Sequence, residues 1–490
     1  MAFAGRGAIL PIMTHALTLP PIIQGGMGVG VSNWRLARAV ALCGQLGVVS
    51  GTALDSVLVR RLQDGDLGGH IRRAMERFPL RQAAEDALRR YFRPEGRPAD
   101  EPYAALPMYR QGASPERERL TMLASFVEVF LAKEGHDRPV GINLLTKIQL
   151  PTLASLYGAM LAGVDVVLMG AGIPKEVPAA LDALALHQPA AMRLEVEGLS
   201  PETPVRMRLQ PADHFPEPPA PLTRPVFLPI IASNSLATML SRKASGRVDG
   251  FIIEGPTAGG HNAPPRGEPR FNALGEPIYG ERDVVDLVKM QELGLPFWLA
   301  GGAGRPGRLR EAREAGAAGI QVGTLFAFCD ESGLTPELKA SVLSHVARGE
   351  VAVFTDPVAS PTGFPFKVVQ WDEDPARRVE RARVCDLGYL RTASQRADGR
   401  LDYRCASEPV ATYLKKGGEE SETDGRKCLC NGLMASIGMG QVRKDATVEL
   451  PLVTSGDDLV LLGELLQGRS SYSAAEAIAW LQSEVPAPTT

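Results

Sequence analysis

Apolar residues along this chain fall into short runs rich in Val and Ile, separated by stretches of helical periodicity. Eight such runs stand out: Pro21–Gln24, Gly47–Gly51, Pro139–Leu144, Val164–Gly170, Phe227–Ser233, Val248–Glu254, Pro296–Ala300 and Gly319–Val322. A brief apolar run bounded by turn residues reads as a strand buried on both faces, and its alternation with helices is the pattern of parallel β/α units. Helices are predicted over Trp34–Gly44, Pro151–Leu161 and Arg308–Ala315. Eight units close a barrel. The competing doubly wound sheet would concentrate its glycines at the first strand. Here they end strands one, two, six, seven and eight. The predicted fold is therefore α/β, a (β/α)8 TIM barrel with a helical insertion and a C-terminal extension. Residues 1–330 form the barrel, including the insertion at 55–138, and residues 331–490 form an extension packed on it.

Two segments interrupt this spacing. Residues 55–138 carry charged helical patterns such as VLVRRLQDG and AAEDALRRYF, which suit a lid or outer subdomain with mostly solvated charges. Residues 198–226 hold eight prolines in a polar setting and are expected to form an irregular, extended loop.

Composition narrows the function. The 490 residues are 44% hydrophobic and 22% charged, and 53 Lys and Arg nearly balance 56 Asp and Glu for a net charge of −3. No basic field would draw in nucleic acid, so small molecules are the expected partners. No apolar run is long enough for a membrane span, and the N-terminal twenty residues lack a small-residue cleavage site. A cytoplasmic location with reduced thiols is expected.

The candidate chemistry lies where strands run into glycine. In Val248–His261, VDGFIIEGPTAGGH, an apolar strand leads to Gly259, Gly260 and an imidazole, His261, beside bare backbone. Leu299–Gly304 (LAGGAG) and Gly319–Thr324 (GIQVGT) end strands seven and eight, whose loops commonly hold a phosphate in barrel enzymes. Pro21–Gly30 (PIIQGGMGVG) leaves room for a flat ring system, with Gln24 or Met27 at its edge. Asp249, Glu254 and Asp283 read as structural or solvated carboxylates.

In this order, PIIQGGMG, GINLL, AGGH, LAGGAG and QVGT resemble the nitronate monooxygenase family over residues 18–330. The resemblance implies FMN in a (β/α)8 barrel, with FMN-dependent enoyl reductases among the relatives. It implies that Gly301, Gly302, Gly323 and Thr324 hold the phosphate. Gln24, Gly25, Gly26, Met27 and Asn143 would surround the isoalloxazine, with Gly260 beside it, and His261 would be the base or proton donor. A neutral imidazole can take a proton from a carbon next to a nitro group or give one to a developing carbanion. The first reading is oxidation of nitronates with molecular oxygen. The second is NAD(P)H-dependent reduction of an enoyl thioester, with an acyl carrier protein docked at the insertion. The third is a flavin-binding redox protein without carbon chemistry. A homodimer is compatible with each. Thr257 stands where many family members have Glu, which leaves the substrate open.

In the tail, Thr355–Lys367 (TDPVASPTGFPFK) suits either a flap over the flavin mouth or a packed connector. Cys385, Cys405, Cys428 and Cys430 are separated by 19, 22 and one residues. They could bind zinc or an iron–sulfur cluster, or lie buried as small hydrophobes; without C-x2-C knuckles no metal site is assigned. Arg426 and Lys427 would lower the Cys428 pKa if close in space.

Overall fold

The computed structural model describes residues 18–484 apart from 200, 201, 203, 216, 218, 375–380 and 397. Fifteen strands occur among these residues, and the eight with continuous apolar character form one parallel sheet. These are β1 (Ile22–Gln24), β2 (Gly47–Ser50), β3 (Val140–Leu145), β4 (Val166–Gly170), β8 (Val226–Ile231), β9 (Phe251–Glu254), β10 (Phe297–Ala300) and β11 (Gly319–Val322). Their order is β1-β11-β10-β9-β8-β4-β3-β2. A parallel bridge between Ile23 and Leu46 brings β1 back to the edge of β2. The result is a (β/α)8 barrel whose strands are the eight apolar runs of the sequence. Ile23, Val48, Leu168, Leu228, Ile252 and Trp298 fill its interior, as alternation in a closed sheet requires.

Glycine permits two of the closest approaches. A Cβ on Gly47 would stand 1.9 Å from the Ala37 carbonyl oxygen, and one on Gly158 would stand 2.1 Å from that of Met122. Helix packs on strand in the first case and helix on helix in the second.

Strands β5 (Ala190–Leu194) and β7 (Val205–Leu209) form an antiparallel pair. The proline-rich stretch expected to be irregular thus contains a strand, because Val205, Met207 and Leu209 alternate between its prolines. The short β6 (Val196–Glu197) joins β14 (Thr392–Gln395), which pairs with β15 (Leu401–Arg404). Strands β12 (Val351–Asp356) and β13 (Phe366–Trp371) form a hairpin.

The insertion holds helices Leu54–Gln63, His70–Met75, Arg81–Tyr91 and Pro115–Lys133. The last packs against helices Thr152–Leu161 and Trp34–Leu42 and so belongs to the outer ring of the barrel. Its expected solvated charges are partly wrong: Asp55, Arg60, Asp66, Arg117 and Glu128 are buried. Arg117 pairs with Asp55 at 2.6 Å and Arg61 with Glu128 at 2.6 Å. Asp55 also accepts a hydrogen bond from the Tyr389 hydroxyl, tying the insertion to the extension. Beyond residue 331, Val342, Leu459, Leu462, Tyr472 and Leu481 share one core with Leu36 and Phe326. The Trp480 indole N–H donates to the Gly304 carbonyl at 3.0 Å.

Removing one partner from a buried pair leaves an uncompensated charge, which costs about 3–5 kcal/mol. Arg117→Ala is expected to lower the unfolding free energy by about that amount. Urea denaturation would measure it, and a loss below about 1 kcal/mol would show that the pair stabilises nothing.

Candidate active site

The C-terminal ends of the barrel strands open into a cavity of about 210 Å³, and ten of the eleven residues singled out in the sequence line it. Gly25, Gly26 and Met27 come from the loop after β1, Asn143 from β3, Gly260 and His261 from the loop after β9, Gly301 and Gly302 from that after β10, and Gly323 and Thr324 from that after β11. Gln24 stands apart. Fully buried behind the loop, its amide donates to Ser32 Oγ at 2.8 Å and its carbonyl accepts from Val48 N–H at 3.0 Å. It shapes the first loop from beneath.

Gly301 and Gly302 have φ of +86° and +64°, which favours glycine and turns their backbone toward the cavity. Thr324 follows, but its hydroxyl accepts from Gly456 N–H at 3.0 Å. Gly304 N–H donates to Asp458 Oδ2 at 2.8 Å. A loop of the extension, Thr454–Asp458, thus completes the rim. No motif in the sequence marked it, because its contacts lie more than 130 positions away. It approaches closely enough that a Cβ on Gly259 would stand 2.7 Å from Gly456 N.

His261 is fixed from the other side by the β12–β13 hairpin. Lys367 N–H donates to Gly260 O and Asn262 N–H to Pro365 O, both at 2.9 Å. Phe366 lies edge-on to the imidazole at 4.9 Å between centroids. His261 Nε2 is 2.7 Å from the hydroxyl of the fully buried Ser360. From the segment Thr355–Lys367, Ser360 and Phe366 thus contact His261, and Phe366 lines the cavity. Burial, with the Lys147 ammonium nearby as a smaller cause, pushes the His261 pKa down to about 4. The ring is neutral at physiological pH.

Glu254, read from the sequence as structural or solvated, lines the same cavity. Register explains it: Glu254 pairs with Ala300 and Ala300 with Gln321, so the three side chains share one inward layer. Withdrawal from water pushes the Glu254 carboxyl up to about 8, so it too is largely neutral at pH 7. Among the described residues no Lys or Arg lines the cavity.

Two buried oxygens of lining residues, Asn143 Oδ1 and Gln321 Oε1, have no hydrogen-bond partner among the described residues. An orphaned buried acceptor has room for a donor from a ligand or an ordered water. Two amide acceptors, a glycine rim and no side-chain cation suit a flat N–H-bearing heterocycle whose anionic tail rests on backbone donors. FMN fits that description.

Cys385, Cys405, Cys428 and Cys430 line one small void behind the cavity, with Cys430 reaching both. Among the described residues no three His, Cys, Asp or Glu side chains form a group able to hold a metal ion. Burial raises the Cys428 pKa, contrary to the lowering expected from its basic neighbours. Arg426 instead donates to the carbonyls of Val358 and Ser360. Among the described residues no helix is long and apolar enough to cross a membrane.

Solved structures that resemble the chain include FabK from Thermotoga maritima, at 17% identity over 94% of this chain and 91% of that one, with a TM-score of 0.42. A nitroalkane oxidase from Streptomyces ansochromogenes shows 16% identity over 94% of each chain and a TM-score of 0.44. The enoyl reductase domain of MlnA, from the macrolactin biosynthesis cluster of Bacillus amyloliquefaciens, shows 12% identity over 94% of this chain and 93% of that one, with a TM-score of 0.44. No curated protein matches the chain. Residues 222–356, a stretch that runs from just before β8 to the end of β12, match the family described as nitronate monooxygenase.

Proposed function

We propose that the protein is an FMN-dependent oxidoreductase in which His261 moves a proton at a carbon next to an electron-withdrawing group. The observation that carries this is a neutral imidazole facing a glycine-rimmed cavity with two orphaned amide acceptors. Asn143 and Gln321 would bind ring N–H groups, and the backbone around Gly301, Gly302 and Gly323 would receive the phosphate. FMN, when bound, supplies the two-electron chemistry that no side chain here can. His261 holds or takes the proton, and the hairpin above it excludes water. Lys147, seated over the Phe364 ring at 4.9 Å, is close enough for its charge to act on His261.

The family match supports nitronate oxidation with molecular oxygen. A second reading, NAD(P)H-dependent reduction of an enoyl thioester, is favoured by the apolar wall that Leu390, Leu429, Leu433 and Leu452 add from the extension. A small nitronate leaves that wall uncovered, whereas an acyl chain would cover it. Partner and oligomer follow the substrate: an acyl carrier protein accompanies only the second reading.

The direct test is anaerobic stopped-flow absorbance of the purified flavoprotein with ethylnitronate, NADPH and NADH in turn. Flavin reduction by nitronate alone supports the first reading; reduction by NAD(P)H followed by reoxidation with an enoyl thioester supports the second. With a neutral nitroalkane or an enoyl thioester, where a proton must move at carbon, His261→Ala is expected to lower turnover by about 10²–10⁴-fold with flavin still bound. Unchanged turnover would sink the proposal.

The two shifted groups also give stability opposite pH dependences. His261, lowered from 6.5 to about 4, binds its proton more readily when unfolded, so its contribution is lost as pH falls through that interval. Glu254, raised from 4.5 to about 8, binds its proton more readily when folded, so its contribution is lost as pH rises through that interval. Relative to wild type, Glu254→Gln should therefore gain Tm steadily from pH 5 to pH 8. Parallel Tm curves for the two proteins would show that the carboxyl is not withdrawn from water.

A further inference from the structure

We infer that Ser360, in the extension, is a positioning residue for His261: it engages Nε2 and thereby makes Nδ1 the atom that exchanges a proton with substrate. The inference rests on the proposed role of His261 and adds to it which ring nitrogen acts and what directs it.

Ser360 Oγ lies 2.7 Å from His261 Nε2, 2.8 Å from Thr362 Oγ1, and accepts from Thr362 N–H at 3.2 Å. Among the described residues Nδ1 makes no hydrogen bond, and His261 lines the cavity, so Nδ1 is the ring nitrogen left for a ligand. The Ser360 hydroxyl has two complete arrangements. It can accept Nε2–H and Thr362 N–H while donating to Thr362 Oγ1, which leaves Nδ1 bare as a base. It can instead donate to Nε2 while accepting both Thr362 donors, which leaves Nδ1–H as an acid. Neither arrangement strands a polar atom, and a serine hydroxyl changes between them by rotation. In the first, Ser360 also supports the imidazolium formed when Nδ1 accepts a proton: one C–H bond breaks, one N–H bond forms, and the charge sits on a ring whose other N–H is already held. The logic is that of a group orienting the tautomer of a catalytic histidine.

The placement is rigid. Asp356 Oδ1 accepts from Val358 N–H and Ala359 N–H, both at 2.9 Å. Arg426 Nη1 donates to Ser360 O at 2.6 Å and to Val358 O at 2.8 Å, and Lys427 N–H donates to Ala359 O at 2.8 Å. Arg426 touches neither the imidazole nor the cavity lining, yet it fixes the backbone that presents the hydroxyl.

The test compares Ser360→Ala, Arg426→Ala and His261→Ala as full-length flavoproteins, reading flavin content, Tm, and kcat and KM across pH. Ser360→Ala is expected to keep its flavin and to lose about 10–100-fold in kcat, the range for partners that orient a functional histidine, with KM little changed. Without an acceptor on Nε2–H the imidazolium is less stable, so the acid limb of the kcat profile moves to lower pH. Arg426→Ala should show the same displacement to a smaller degree, which loss of a merely structural contact would not produce. If His261→Ala abolishes turnover while Ser360→Ala leaves both kcat and the acid limb unchanged, the positioning role is overturned and the function stands. If His261→Ala itself leaves turnover unchanged, the function falls and this inference with it.

Discussion

Two backbone hydrogen bonds, Lys367 N–H to Gly260 O and Asn262 N–H to Pro365 O, join the rim of the barrel to a hairpin more than a hundred residues away. They form an antiparallel bridge between His261 and Phe366, and the site is ordered around it. On one side the bridge fixes the turn that holds the imidazole, where Gly260 has φ +78° and its N–H donates to Thr454 Oγ1 at 2.9 Å. On the other, the buried Lys367 ammonium reaches Asp457 at 2.7 Å, in the loop that also engages Gly304 and Thr324. Two segments of the extension and three barrel loops are thereby held as one frame. Preorganisation of this kind is what proton transfer at carbon needs, because small displacements of the reacting groups are costly.

The electrostatics follow from the same enclosure. With no Lys or Arg among the described residues of the cavity wall, and with His261 and Glu254 both shifted toward their neutral forms, the protein presents dipoles and backbone N–H groups to whatever binds. In a site of low dielectric, charge that develops on a ligand is then felt strongly by those fixed dipoles. Asp458 is consistent with this pattern: burial raises its pKa, while its carboxylate is occupied by Gly304 N–H.

The barrel strands were legible because strand character is local: a run such as Val248–Glu254 shows its burial in its own composition. The glycine turns were legible for the same reason, since their conformation needs only themselves. What stayed hidden is non-local. Ser360 and the 454–458 loop meet the site only through tertiary folding: the segment around Ser360 stood out for its prolines and glycine but not for that hydroxyl, and nothing in TSGDD marks the loop. Glu254 is an intermediate case. Strand alternation places it inward at the last position of β9, but only pairing with Ala300 and Gln321 reveals which layer it joins. Gln24 is the converse, since its neighbourhood suggested a ligand contact while its hydrogen bonds are spent inside the first loop. The buried charges of the insertion were missed because sequence shows the charge but not the partner that permits its burial.

The extension also adds an apolar wall to the site. A barrel rim alone would offer glycine loops and an imidazole, a site polar in backbone and open above. Leu429, Leu433 and Leu452 close part of that opening with hydrocarbon, in a small second core that includes Phe366 and Val29. Each such side chain left in contact with water costs about 1.5–3 kcal/mol relative to burial. A wall of them beside a reactive centre is stable only if it is packed elsewhere on its far side or covered by ligand. Here the far side is packed, so the near side is free to accept a chain. The residues that bring the hydroxyl to His261 and those that line the apolar wall belong to one folded unit, so the setting of the imidazole and the apolar wall beside it are fixed together.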